Sequence, residues 1–302
     1  MSLPFIGHRE IHRQLEEWRR TGRLPHALMF LGPEGIGKAL VARHLAAALL
    51  CSEKSAPCGA CRSCELLAKD RHPDLFELKP ESGRIKIEAV RELKRSFALP
   101  PLVSSARAVL IAEAHAMNAA AANALLKTLE EPPAATYFIL GSHAAGWVPR
   151  TILSRCQKVR FSPLTHAELE AVLQAKGFSG AAQALDWAQG SAKTALQLGQ
   201  VEADIPSLEQ LWGESEGFGL AEAYSLGQSL TEDDKLEPFL ESLLRETHQC
   251  LLAERHPERR FDLLGFAERI LEFRGQLRQN ANPKLHLPRL LMYFREPLES
   301  RL

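Results

Sequence analysis

The fold of this chain is decided by residues 27–39, which read ALMFLGPEGIGKA. The first five residues form a short apolar run typical of a buried strand, and an alanine-rich apolar helix is predicted from Ala39 to Leu50. A strand, a glycine-rich turn and a helix in this order favour a loop whose backbone N–H groups bind phosphate. Its binding residues would be Gly32, Gly35, Gly37 and Lys38. An ordinary strand–turn–helix connection is the alternative.

Strands and helices alternate over the first half of the chain. Further strands are predicted at 75–78, 108–111, 137–140 and 158–161, with helices at 87–97 and 119–129 between them. This alternation indicates a parallel sheet covered by helices on both faces. After Pro163 the pattern becomes helical. The predicted class is therefore α/β plus all-α, with a phosphate-loop domain at 1–163, a three-helix lid at 164–204 and a helical domain at 205–302. An acidic linker with three glycines is predicted at 204–219.

Composition excludes several classes of protein. The chain has 302 residues, 45% of them apolar, with 37 basic and 37 acidic side chains. Zero net charge argues against a surface that is basic throughout and binds nucleic acid along its whole extent. The longest apolar stretch, 39–51, is too short for a membrane span and contains Arg43. Residues 1–10 lack an apolar signal segment, so a cytoplasmic location is expected.

The loop lacks two groups that normally hold magnesium. The residue after the loop lysine is usually Ser or Thr, whose hydroxyl binds Mg²⁺, but here it is Ala39. A second ligand is expected from an acidic residue at the end of a neighbouring strand, where this chain has Ala112 followed by Glu113. Because both missing groups serve the same ion, the sequence predicts that the chain alone does not hydrolyse ATP and makes ATP binding doubtful.

Four cysteines are clustered at Cys51, Cys58, Cys61 and Cys64. Pairs separated by two residues can turn both sulfurs toward one ion, and four thiolates suit tetrahedral Zn²⁺. A set of four protein ligands leaves no open position, so the sequence predicts a structural rather than a catalytic site. Four reduced thiols without metal are the alternative.

Two further motifs follow the loop and the cysteines, namely NALLKTLEEPP at 123–133 and SRC at 154–156. With them, the chain resembles bacterial sliding-clamp loader subunits of the AAA+ class, strongly over residues 5–200 and weakly beyond. The resemblance implies a zinc ion at the four cysteines and a C-terminal collar shared with other subunits. In the family the metal-binding aspartate falls at Ala112 and the sensor-two arginine at Lys193. The chain is therefore more similar to the non-hydrolysing subunit than to the motor subunits.

The same resemblance assigns Arg155, expected on a short helix at 152–156, as an arginine finger aimed at the ATP of a neighbouring subunit. A surface arginine, or one paired with Glu130 or Glu131, is the alternative. The implied function is a non-hydrolysing clamp-loader subunit in DNA replication. Its partners would be the other subunits of a hetero-pentamer and, through them, the sliding clamp and primed DNA. An active motor ATPase and a zinc-stabilised nucleic-acid-binding module are the competing interpretations.

Overall fold

The computed structural model describes residues 6–177, 185, 188–201, 220–232, 236–277 and 282–293. The chain divides into two compact units. The first consists of Met1–Val172 with Gln189–Lys193, and the second of Leu173–Ala188 with Thr194–Leu302. The candidate sites all lie in the first unit.

A five-stranded parallel sheet forms the centre of the first unit. Its strands are β1 (Ala27–Leu31), β2 (Leu75–Glu77), β3 (Arg107–Ile111), β4 (Thr136–Ser142) and β5 (Gln157–Arg160). The order across the sheet is β2-β3-β4-β1-β5. In the register, Leu31 lies opposite Ser142 of β4 and Arg160 of β5. After β1 the chain crosses to β2 at one edge of the sheet, and it later places β4 on one side of β1 and β5 on the other. The carboxyl end of β1 is therefore a topological switch point, where α/β sheets bind ligands.

Helices cover both faces of this sheet. They are α1 (Arg9–Arg20), α2 (Lys38–Leu50), α3 (Arg62–Ala68), α4 (Ile87–Ser96), α5 (Ala119–Glu130) and α6 (Arg150–Leu153), and a further helix, α7 (His166–Ala175), follows β5 in the sequence. On one face, Phe30 packs with Val41 and Leu45 of α2. On the other, Phe138 packs with Leu125 of α5. Each fully buried Leu or Phe contributes about 1.5–3 kcal/mol, so the two cores fix the strand ends that carry the loops.

The structure corrects two details of the sequence prediction. Helix α3 lies within the cysteine insertion, where no helix was expected. Helix α6 spans Arg150–Leu153, not 152–156, so Arg155 lies in the turn between α6 and β5. The physical reason is that Pro149 precedes the first helical residue and fixes where α6 starts. After Leu153 the chain extends into β5, which pairs with β1.

The second unit contains helices in its described part. They are α8, which continues from the first unit as Ala192–Val201, and α9 (Leu220–Glu232), α10 (Leu236–Ala253), α11 (Pro257–Leu277) and α12 (Pro283–Leu291). Phe239 of α10, Phe266 of α11 and Leu287 of α12 belong to one buried apolar cluster. The helical C-terminal part predicted from the Leu and Phe spacing is therefore confirmed.

Some predictions fall outside the described residues. They include most of the helix expected at 181–188 and the linker at 204–219. The three-part division at 163/164 and 204/205 thus stays a prediction. Among the helices that the structure describes, none is long and apolar enough to cross a membrane.

Candidate functional site

The phosphate loop has the context that the sequence predicted, since it leaves β1 at Leu31 and opens α2 at Lys38. Gly35 and Gly37 have φ angles of 76° and 98°, a region that glycine enters without steric cost. A Cβ atom on Gly35 would also lie 2.2 Å from Oγ of Ser191. Gly35 is thus required both by the backbone turn and by the segment that packs against it, whereas Gly37 is required by the turn alone.

Lys38 lies folded over this loop. Its Nζ donates a hydrogen bond of 2.8 Å to the carbonyl oxygen of Gly32 and a second one to that of Pro33. Burial lowers the pKa of Lys38, and the nearby Glu34 carboxylate partly opposes this shift. The ammonium group is therefore held by two carbonyl oxygens of the loop.

Ala39 and Ala112 line one cavity of ≈ 170 Å³, together with Lys38 and Gly141. The two methyl groups offer no metal ligand. Glu77 also lines this cavity, but its carboxylate oxygens lie 3.3 Å from Nε of Arg43 and 2.9 Å from Nζ of Lys79. The two positions from which the sequence expected magnesium ligands are thus brought together in space, and both carry alanine.

Lys193, which the resemblance matched to the sensor-two arginine, contacts the loop directly. Lys193 donates its backbone N–H to the carbonyl oxygen of Gly35 over 3.2 Å, and its Nζ lies 2.7 Å from Oε1 of Glu34. Its hydrogen bond to Glu34 is the main reason that the pKa of this carboxyl is lowered. At the end of β4, the buried Ser142 hydroxyl accepts the N–H of Ala144 and lies 3.2 Å from Nδ1 of His115. The hydroxyl of Ser142 thus contacts Ala144 and His115 where β4 ends.

Arg155 forms an ion pair with Glu130, the last residue of α5. Its Nε donates to Oε1 of Glu130 over 2.6 Å, and its NH2 group donates to the same oxygen. Its NH1 group donates to the carbonyl oxygen of Thr151 over 2.9 Å. The Arg155 side chain is 31% exposed and that of Glu130 is 47% exposed. The guanidinium therefore lies at the surface with its donors engaged by its own chain.

The four cysteines of the insertion form one compact cluster, with all Sγ atoms within 4.8 Å of one another. Cys51 follows the last residue of α2, Cys61 precedes α3, and the buried Cys64 lies on α3. The Sγ atoms of Cys51 and Cys61 lie 3.8 Å apart, and those of Cys58 and Cys64 lie 3.9 Å apart. A tetrahedron with sulfur ~2.3 Å from a central Zn²⁺ has edges of ~3.8 Å, so the residues fit such an ion. The cluster can hold a metal ion.

Backbone N–H groups around the cluster donate to the cysteine sulfurs and so stabilise their thiolate form. The N–H groups of Glu53 and Cys58 point to Sγ of Cys51, and the N–H of Cys61 points to Sγ of Cys58 at 3.3 Å. Backbone hydrogen bonding lowers the pKa of Cys61 to about 6, whereas burial raises the pKa of Cys64 to about 12. A bound cation would offset the cost of the buried thiolate at Cys64.

The comparison with known families shows to which family the chain belongs. The profile of the family described as DNA polymerase III, delta subunit, matches residues 7–165, which is more than half of the chain. The chain belongs to the DNA polymerase III delta-subunit family. The matched stretch contains the phosphate loop, the cysteine cluster and Arg155, so the family assignment rests on the same region as the candidate sites.

Two curated relatives show how similar the chain is to known DNA polymerase III subunits. The delta-prime subunit of DNA polymerase III from Pseudomonas aeruginosa is 38% identical over 213 residues, which cover 68% of this chain and 57% of the relative. The tau subunit from Escherichia coli is 30% identical over 258 residues, or 82% of this chain and 39% of the relative. The chain thus spans about half or less of the length of these relatives. The similarity to a delta-prime subunit confirms the resemblance inferred from the sequence motifs.

A solved structure shows the same fold. The DNA polymerase III gamma-subunit-related protein of Thermotoga maritima aligns with a TM-score of 0.50 at 18% identity, covering 93% of this chain and 99% of that one. The fold predicted from the sequence, a parallel α/β sheet domain followed by helices, is thereby confirmed.

One buried network of the delta-family chain was missed by the sequence analysis. Asp74, which is 2% exposed, accepts the N–H groups of Leu102, Val103 and Ser104 at 2.7–2.8 Å. Nδ1 of His72 accepts the N–H of Asp74, so a neutral His72 carries its proton on Nε2. That nitrogen lies 2.6 Å from the hydroxyl of Ser63, which donates to the carbonyl oxygen of Leu50. The network joins the end of α2 to α3 and so fixes the base of the cysteine insertion.

The available sequence signal for this network was weak. His72-Pro73-Asp74 stands directly before β2, in a place where polar residues usually form an exposed turn. Its donors come from 28 to 30 residues further along the chain, and no local pattern predicts such a contact.

Proposed function

We propose that this chain is the non-hydrolysing delta-prime subunit of a bacterial DNA polymerase III clamp loader. In this proposal it acts in the cytoplasm, in a hetero-pentamer with tau or gamma motor subunits, and contributes to loading the sliding clamp onto primed DNA. Membership of the delta-subunit family and the similarity to delta-prime, tau and gamma relatives support this assembly.

One observation carries the non-hydrolysing role. Ala39 and Ala112 line the same cavity as Lys38, so the two positions that would supply magnesium ligands beside the phosphates carry methyl groups. Without a divalent cation, the charge that develops on the transferred phosphoryl group is not neutralised. A motor ATPase is disfavoured for this reason, and zero net charge disfavours a stand-alone nucleic-acid-binding module.

Arg155 is the proposed contribution to catalysis. It lies at the surface in the turn after α6, where a guanidinium can reach a second protein. An arginine finger supplied in trans stabilises the charge of the transition state and is worth about 10³–10⁵ in rate at the site it completes. Arg155 would thus serve the ATP site of an adjacent motor subunit.

The cysteine cluster is proposed to bind one structural Zn²⁺ through Cys51, Cys58, Cys61 and Cys64. The sulfur separations and the N–H donors around them support this assignment. The metal would hold the insertion between α2 and α3 rather than take part in chemistry.

The experiment is a reconstituted loader with Arg155→Ala in this chain. Single-turnover hydrolysis at the adjacent motor site is expected to fall by at least about 1,000-fold, the lower end of the range for loss of an arginine finger. Arg150→Ala is the matched control, since Arg150 is an exposed arginine at the start of α6 and should leave the rate unchanged.

Two results would contradict the proposal. The first is equal hydrolysis with and without Arg155. The second is rapid magnesium-dependent ATP turnover by this chain alone, which would favour the motor ATPase. Salt-dependent DNA binding by the isolated chain would favour the nucleic-acid-binding module instead.

A further inference from the structure

We propose that Glu130 is a competing counter-ion for Arg155, one that the phosphate of a neighbouring subunit must displace before the guanidinium can act. This inference rests on the proposed function of Arg155. It concerns a different residue and makes Glu130 a positioning residue that sets how readily the arginine becomes available.

The contacts place Glu130 on the edge of the guanidinium that an anion would use. Both Nε and NH2 of Arg155 donate to Oε1 of Glu130, whereas NH1 donates to the carbonyl oxygen of Thr151. Arginine binds carboxylates and phosphates most tightly through two parallel N–H groups of this kind. A phosphate that approaches Arg155 therefore competes with Glu130 for the same pair of donors.

The position of Glu130 explains why it holds a cation. It is the last residue of α5 and is followed by Glu131, so two acidic residues lie at a helix C-terminus. The partial negative charge of the helix end disfavours carboxylates there and favours a nearby cation. Arg155 supplies that cation from a turn 25 residues away in the sequence.

The exposure of the pair determines how strong the competition is. Side chains that are 31% and 47% exposed form an ion pair screened by water and salt. Exposed pairs of this kind change populations by only about two- to five-fold. A phosphate with several negative charges in a closed interface can displace Glu130, yet in the separate chain the ion pair remains the resting state.

The first experiment measures the ion pair in the full chain. Phenylglyoxal modifies accessible arginines and reacts more slowly with a guanidinium that is paired with a carboxylate, and mass spectrometry of the Arg155 peptide reports the rate. Glu130→Gln keeps the size of the side chain and removes its charge, and we expect it to raise the rate about two- to five-fold. Glu131→Gln removes the neighbouring charge and leaves the ion pair intact, so it should not change the rate.

The second experiment measures the consequence in the reconstituted loader. Glu130→Gln should raise kcat/KM for ATP at the adjacent site by a similar factor of about two to five, because the arginine no longer has to leave a partner. The same substitution in an Arg155→Ala background should change kcat/KM by less than this factor. A merely structural role of Glu130 would not depend on Arg155 in this way.

The outcomes separate the two proposals. An unchanged modification rate of Arg155 in Glu130→Gln overturns the counter-ion, whatever the loader does. A faster modification with unchanged kcat/KM, in a loader that still depends on Arg155, overturns its regulatory consequence. A loader that does not depend on Arg155 overturns the proposed function instead. If Glu130→Gln fails to fold, Glu130→Asp, which keeps the charge but withdraws the oxygen, should give a smaller rise, and no rise would count against the counter-ion.

Discussion

Nζ of Lys193 lies 2.7 Å from Oε1 of Glu34, so the side chain of Lys193 is tied to the loop between β1 and α2. The backbone supports the same contact, because the N–H of Lys193 donates to the carbonyl oxygen of Gly35. In this chain the loop is therefore packed by a short segment from 189–193, which belongs to the same compact unit.

Replacing Lys193 by alanine should raise the pKa of Glu34 toward its ordinary value. The hydrogen bond from Lys193 is the main cause of the lowered pKa, and it is lost in the variant. A lowered carboxyl pKa contributes stability above the unfolded pKa that disappears as the pH falls through the folded pKa. Since both side chains are more than half exposed, the free energy of unfolding at pH 7 should change by at most about 0.5 kcal/mol.

An NMR titration of the Glu34 carboxyl carbon checks this prediction. Lys158→Ala is the control, because it removes an exposed lysine on β5 and leaves the Glu34 contact intact. An unchanged titration of Glu34 in Lys193→Ala would show that the ion pair does not persist in solution.

The cysteine cluster should hold one Zn²⁺ per chain, and Cys58→Ser should lose it to a competing chelator. A ligand present at about a hundred times its Kd stabilises the folded state by about 2.7 kcal/mol, so the variant should unfold at a lower temperature. Metal analysis by mass spectrometry and thermal unfolding are the measurements. Cys250→Ala, a half-buried cysteine in the second unit, is the control and should keep the metal. A metal-free wild-type chain with four freely titrating thiols would contradict the prediction.

Asp74→Asn should lower the free energy of unfolding at pH 7 by about 2 kcal/mol, because the carboxylate accepts three backbone N–H groups that an amide cannot satisfy equally. Burial by itself would raise the pKa of Asp74, but the three backbone donors outweigh it and hold the pKa below its ordinary value. Its stabilising contribution is therefore complete above an unfolded pKa of about 3.9 and is lost as the pH falls through the folded pKa.

Urea unfolding between pH 7 and pH 2 tests this prediction. The wild-type chain should lose more stability than Asp74→Asn below about pH 4, where an unfolded aspartate binds its proton. Asp70→Asn is the matched control, since the Asp70 side chain is 71% exposed and pairs with Arg43 at the surface. Equal stability of Asp74→Asn and Asp70→Asn would contradict the role of the buried network.

The sequence predicted those features that depend on local patterns. The strand, loop and helix around Lys38 were found because apolar periodicity and glycine spacing are local. The cysteine cluster was also predictable, since its four ligands lie within 14 residues of sequence.

Contacts between distant residues were not predictable. The bonds of Asp74 to residues 102–104 and the packing of Lys193 on Gly35 depend on how strands and loops meet in three dimensions. For Arg155 the sequence left a finger and an ion pair with Glu130 or Glu131 as alternatives. The structure contains the ion pair with Glu130, while the role in catalysis stays a proposal.

Restoring both absent magnesium ligands should make nucleotide binding depend on magnesium. In Ala39→Thr with Ala112→Asp, a hydroxyl and a carboxylate would face the same cavity beside Lys38. Because one Mg²⁺ needs both groups, each single variant should change ATP affinity little, whereas the double variant should bind ATP at least about tenfold more tightly with Mg²⁺ than without it. Calorimetry with ATP, in the presence of magnesium or EDTA, measures the effect. Ala39→Val with Ala112→Asn is matched in size but lacks the hydroxyl and the charge, so it should not respond to magnesium. A strong magnesium response of the wild-type chain would mean that groups other than residues 39 and 112 hold the ion, and the argument from the two alanines would then be wrong.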